Sequence, residues 1–130
     1  MEWGAAEREP LRHAVTDTQA ALIYSPMPDA EVARSVAGQL LNEKLVACAN
    51  IFGPMESIFV WNGAQDQSVE VGVLFKMTRT KLDLAIKRLG ELHPYETPAI
   101  VGSVCNEAHP DTLEWLAQQV GDSGVNRVES

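Results

Sequence analysis

Val69-Glu70-Val71-Gly72-Val73-Leu74-Phe75-Lys76-Met77 alternates two kinds of residue. Val69, Val71, Val73, Phe75 and Met77 fall on one side; Glu70, Gly72, Leu74 and Lys76 fall on the other. That period of two predicts a β-strand with one apolar face. Upstream, Asn62-Gly63 is a two-residue hairpin signal. Before it, Ser57-Ile58-Phe59-Val60-Trp61 supplies β-branched and aromatic residues for an antiparallel partner. Leu45-Val46-Ala47-Cys48-Ala49-Asn50-Ile51-Phe52 reads as the earlier part of that partner, and Gly53-Pro54 as a bulge or kink within it.

Downstream, Thr80-Lys81-Leu82-Asp83 resembles a capping box. It opens a helix whose apolar stripe is Leu82, Ala85, Ile86 and Leu89. Ala99 to Cys105 reads as another strand. Asp111-Thr112-Leu113-Glu114 caps a last helix carrying Leu113, Leu116, Ala117 and Val120. At the other end, Ala20-Ala21-Leu22-Ile23-Tyr24 is a short buried strand that Ser25-Pro26-Met27-Pro28 breaks. Asp29 caps the helix that follows, with Val32, Val36 and Leu40 on one face beside Ala33, Ala37 and Leu41.

The order β-α-β-β-α-β-α is that of an α+β, ferredoxin-like fold: four antiparallel strands, two helices on one face, a long central hairpin and a C-terminal helix. Two helices cover only one face of a sheet. Leu74, and Trp61 or Phe59, lie on the other, so neighbouring subunits are expected to bury it.

Bulk properties narrow the function. The 130 residues make one domain, read as residues 19–120 between a flexible tail at 1–18 and a frayed one at 121–130. Hydrophobic residues at 45% and charged residues at 22% give a globular balance. A net charge of −8 argues against nucleic acid and favours cations nearby. No apolar run approaches a transmembrane length, and Met1 to Thr18 lacks the features of a signal peptide. Cys48 and Cys105 suit reduced thiols rather than a disulfide framework. A cytoplasmic protein with no membrane or nucleic-acid partner is expected.

The chemistry-bearing residues each read two ways. His93-Pro94-Tyr95-Glu96-Thr97-Pro98 is a stiff joint, because each proline fixes its own φ and biases the residue before it. Within it, His93 is either a metal ligand through a neutral imidazole or the residue that closes the preceding helix by donating to its free carbonyls. Tyr95 and Glu96 either line a pocket or anchor the joint. Cys48 is a soft copper ligand or a small core residue. Lys76 and Glu70 share a strand face too far apart to touch; they are solvated strand charges or interface pairs that fix register, or Lys76 holds a small anion. Trp61 stacks a ligand or anchors an interface. There is no nucleophile beside a base, no Gly-rich phosphate loop and no paired carboxylates in a readable arrangement, so an enzyme with His93 as general base is not expected.

Ala47-Cys48-Ala49-Asn50-Ile51, Ser57-Ile58-Phe59-Val60-Trp61, Glu70 with Lys76, and above all His93 to Pro98 resemble the CutA divalent-cation tolerance family. The likeness runs from about Ala20 to Val120. It implies a ferredoxin-like subunit in a tight homotrimer, similar in fold and assembly to PII signalling proteins, and a cytoplasmic, non-enzymatic role in tolerance of copper and other divalent ions. No cofactor is obligatory; Cu(II) or another divalent cation is the ion implied. Three departures stand out: Ser25-Pro26-Met27 replaces a Thr-rich step, Phe59 stands where Tyr is common, and Met77 where Thr is common. Two expectations follow. One is a homotrimer that binds divalent ions weakly, with His93, Cys48 and Glu96 as candidate ligands. The other is a PII-like trimer holding a small metabolite in a subunit cleft formed by Trp61, Lys76 and Tyr95.

Overall fold

The structure, a computed structural model, describes residues 18–122. Of the tails expected at 1–18 and 121–130, residues 1–17 and 123–130 lie outside the described residues. The elements are β1 (Ala20–Met27), α1 (Ala30–Asn42), β2 (Cys48–Trp61), β3 (Ala64–Thr78), α2 (Arg79–Leu92), β4 (Val101–Val104) and α3 (Pro110–Gln119). The four strands form one antiparallel sheet in the order β2-β3-β1-β4. This is the ferredoxin-like arrangement expected from the sequence.

Local chemistry accounts for most boundaries. The Asp29 carboxylate accepts from the Val32 N–H at 2.8 Å and starts α1. Asn62 (φ 51) and Gly63 (φ 81) turn β2 into β3 with the left-handed pair that a tight hairpin needs. The β2–β3 register shifts between Phe52 and Met55, so Gly53-Pro54 is a bulge inside one strand.

Several boundaries differ from expectation: β2 begins at Cys48 rather than Leu45, and β4 is shorter than Ala99 to Cys105. The residues Ser25-Pro26-Met27 continue β1, with Pro26 opposite Gly72. Strand β4 pairs only with Ala21–Tyr24, so among the described residues one side of β1 has no strand neighbour beyond Tyr24, and a residue lacking an N–H is tolerated there. The capping box at Thr80 does not form. Helix α2 begins at Arg79 with Thr78 as N-cap, and both hydroxyls instead donate to Asp122 Oδ2, that of Thr78 at 2.7 Å. Helix α3 begins at Pro110, and His109 rather than Asp111 caps it.

The core lies between the helices and one sheet face. Ile23 and Met27 of β1, Val73, Phe75 and Met77 of β3, Leu40 of α1, Leu89 of α2, and Leu116 and Val120 from the C-terminal helix region form one buried cluster. Val69 departs from the alternation: it is 65% exposed. Strand β1 ends opposite Val71, so at Val69 strand β3 has only β2 beside it among the described residues.

Two apolar surfaces remain open. The sheet face away from the core carries Leu22, Tyr24, Phe52, Leu74 and Val101, the last 63% exposed. The far part of the β2–β3 hairpin extends past β1 as a two-stranded arm, with Ile58, Val60 and Trp61 exposed. An isolated two-stranded ribbon is marginal in water.

Candidate functional site

The joint after α2 is where the polar side chains converge. The His93-Pro94 step forces His93 into extended geometry (φ −69, ψ 135), which ends the helix and turns its ring towards β1. His93 is buried. Its Nδ1 accepts from the Tyr95 N–H at 3.2 Å, which leaves the proton on Nε2 to be donated to the Pro26 carbonyl at 2.9 Å. The ring therefore closes no carbonyl of its own helix; it ties the joint to the end of β1. The Ser25 hydroxyl adds a second tie, donating to Ala99 O at 2.7 Å. Both His93 nitrogens are engaged, so neither offers a free lone pair in this state.

His109 repeats the device. It also precedes a proline, adopts nearly the same backbone (φ −63, ψ 134), and accepts the N–H two residues on, that of Asp111, at 3.1 Å. A neutral imidazole thus serves as a turn acceptor in both His-Pro steps, in the manner of an Asx turn.

Tyr95 lies against His93, ring centroids 4.8 Å apart and tilted by 50°. Its hydroxyl donates to Glu70 Oε2 at 2.7 Å. Partial burial, then the Glu70 carboxylate, then the more distant Asp29, push the Tyr95 phenol up to about 12. Glu70 is itself buried, 8% exposed. The observed cluster is thus Pro26 carbonyl, His93, Tyr95 and Glu70. Sequence reasoning considered Glu70 only beside Lys76. A carboxylate embedded in an apolar strand needs a partner, but no spacing rule points from it to Tyr95.

The other candidates lie apart. Glu96 is exposed and has no hydrogen-bond or ion-pair partner among the described residues. Cys48 opens β2 opposite Lys76, half-buried, with its thiol 3.8 Å from Asn50 Oδ1. Among the described residues, no group of three or more His, Cys, Asp or Glu is placed to hold a metal ion, so Cys48, His93 and Glu96 do not converge within one chain. Lys76 is half-buried and has no acceptor among the described residues. Trp61 sits at the hairpin tip opposite Ala64. At about 3.3 Å per residue, Ala64 to Lys76 spans roughly 40 Å. Trp61, Lys76 and Tyr95 therefore share no cleft within one subunit.

The family model described as CutA1 divalent ion tolerance protein matches residues 21–119, the whole of the sheet and its helices. The chain belongs to this family. Among curated relatives, the divalent-cation tolerance protein CutA of Pyrococcus horikoshii is 34% identical over 98 residues, covering 75% of this chain and 95% of the relative. That of Thermus thermophilus is 36% identical over 100 residues, covering 77% and 97%. The solved CutA1 of Ehrlichia chaffeensis superposes with a TM-score of 0.76 at 30% identity, covering 81% of this chain and 98% of that one. The solved CutA of Archaeoglobus fulgidus, described as periplasmic, gives 0.74 at 31%, covering 78% and 98%. The CutA1 family is named for tolerance of divalent ions and not for a reaction. No described helix of this CutA1 chain is long and apolar enough to cross a membrane.

Proposed function

We propose that this CutA1 chain works as a cytoplasmic, non-catalytic homotrimer that binds copper-class divalent ions weakly. The observation that carries the assembly is the uncovered apolar sheet face, Leu22, Tyr24, Phe52, Leu74 and Val101, continued by a hairpin arm with no third strand of its own. Apolar surface of this extent on one side of a sheet is buried by another copy in a stable state. The metal reading draws on the names of the relatives and on the net charge of −8. Because the described residues of one chain gather no ligand set, the ion bridges copies. Cys48 and Glu96 are the freer donors, and His93 joins them only by releasing Tyr95 or Pro26.

Light scattering tests the assembly: one species near three times the chain mass, unchanged on dilution, supports it, and a monomer overturns it. Calorimetry with Cu(II) and Zn(II) tests the ion: binding that disappears in His93→Ala/Cys48→Ala/Glu96→Gln supports it. Heat indistinguishable between that variant and the wild type removes these ligands from the proposal. A second reading, a PII-like trimer holding an anionic metabolite, is favoured by the half-buried Lys76, which has no acceptor among the described residues. Trp61 and Tyr95 must then come from other copies, and a metabolite that raises the melting temperature where metals do not would select this reading.

A further inference from the structure

Strand β3 carries an acidic and a basic side chain that the described residues leave without a charge partner. Glu70 is 8% exposed, and its one polar partner among the described residues is the Tyr95 hydroxyl on Oε2. A neutral phenol satisfies one oxygen but supplies no positive charge, so among the described residues the buried carboxylate has no counter-ion. Lys76 has the opposite deficit. It is half-buried between its cross-strand partners Leu22 and Cys48, and among the described residues no carboxylate or carbonyl accepts from it.

The two cannot satisfy each other within the chain. They lie on the same strand face, and six residues of strand separate them by roughly 20 Å, beyond the reach of both side chains. That face is also the open apolar one, where Tyr24 and Phe52 lie across Gly72 and Leu74 stands beside them. One end of the face thus offers a buried negative charge, the other an unpartnered positive one. A surface of that kind is complementary to itself when a second copy is displaced along it.

We propose that Glu70 of one copy receives Lys76 of the next, a head-to-tail ion pair that closes the ring of subunits and sets the register of their sheets. The proposal rests on the homotrimer reading above and adds the residues that specify it. Apolar contacts across the face supply most of the attraction, and the pair selects one alignment over slipped ones, because any slip leaves both charges buried and unpaired. Tyr95 has a positioning role: its hydroxyl holds one Glu70 oxygen and leaves the other for the lysine. His93 in turn holds the Tyr95 backbone.

The test is a double-mutant cycle on the full chain, using near-isosteric changes that remove charge. Glu70→Gln, Lys76→Met and the double variant are compared with wild type for trimer dissociation on dilution, read by light scattering and analytical ultracentrifugation. The pairing predicts that each single change raises the dissociation constant tenfold or more and that the double is no worse than the poorer single. Effects that multiply in the double variant overturn the pairing, as does a wild-type trimer indifferent to both changes. A wild-type monomer overturns the trimer reading itself, a different result from either. If Glu70→Gln fails to fold, Lys76→Arg against Lys76→Met decides: the pairing requires the arginine to hold the trimer where methionine loosens it, and equal behaviour overturns it.

Discussion

His93 shows how one side chain can organise a joint without touching a ligand. Its ring accepts from Tyr95 N–H on one side and donates to the Pro26 carbonyl on the other, bridging segments that are 67 residues apart. Removing it leaves a backbone donor and a backbone acceptor unsatisfied in a buried place. His93→Ala should therefore lower unfolding stability by about 2–3 kcal/mol, measured by urea denaturation, rather than act only on ion binding. The sequence presents His93 as a ligand or a helix-closing donor. Its real acceptor is invisible there, because a strand carbonyl has no residue-type signature. Tyr95 gives a pH signature. Its phenol is raised to about 12, from an ordinary value near 10, so the folded chain holds the proton more tightly than the unfolded one. This contribution is fully present below about pH 10 and is lost as pH rises through about 12. Urea midpoints between pH 9 and 12 should fall for wild type. They should fall less steeply for Tyr95→Phe, which at neutral pH starts about 1–2 kcal/mol lower for want of the bond to Glu70.

At the scale of elements, the β2–β3 hairpin is the part most legible in sequence and most dependent on small details. Asn62-Gly63, the Gly53-Pro54 bulge and the alternation around Phe75 all pointed to it, because turn chemistry and period are local. Its packing on β1 depends on Gly72. A Cβ there would lie 2.6 Å from Phe52 Cε2 and 3.1 Å from Tyr24 Cε1, the stacked rings that cross the strand. Gly72→Ala should force Phe52 off the sheet face and cost about 1–3 kcal/mol by overpacking, with a larger loss in the stability of the proposed trimer than in subunit secondary structure, read by sedimentation and far-UV circular dichroism. Element ends were less legible. Thr80 carried the local signature of a cap, yet its hydroxyl is taken by Asp122, 42 residues on. Pro26 looked like a strand breaker and is not one, because the strand beside it stops at Tyr24. In both cases a tertiary partner outranked a local preference.

The whole molecule is asymmetric between its faces. One side of the sheet is sealed by helices that bury Ile23, Met27, Phe75 and Met77; the other leaves Leu22, Leu74 and Phe52 reachable. The fold class was legible because element order and stripe positions restrict a β-α-β-β-α-β chain to few topologies. The candidate site was legible only as single residues, since Glu70 and Tyr95 meet through the topology, and the candidate metal ligands do not meet in one chain at all. What a second copy contributes can be tested from the open face. Leu74→Asp places a charge at its centre, where an approaching subunit would have to bury it. Leu74 is half-buried and outside the core cluster, so the subunit should keep its helical circular dichroism while the proposed trimer falls to monomer at micromolar concentration. Leu84→Asp, on α2 and 55% exposed on the helical side, should leave the assembly intact. If both variants remained trimeric, the open sheet face would not be the surface on which the copies meet.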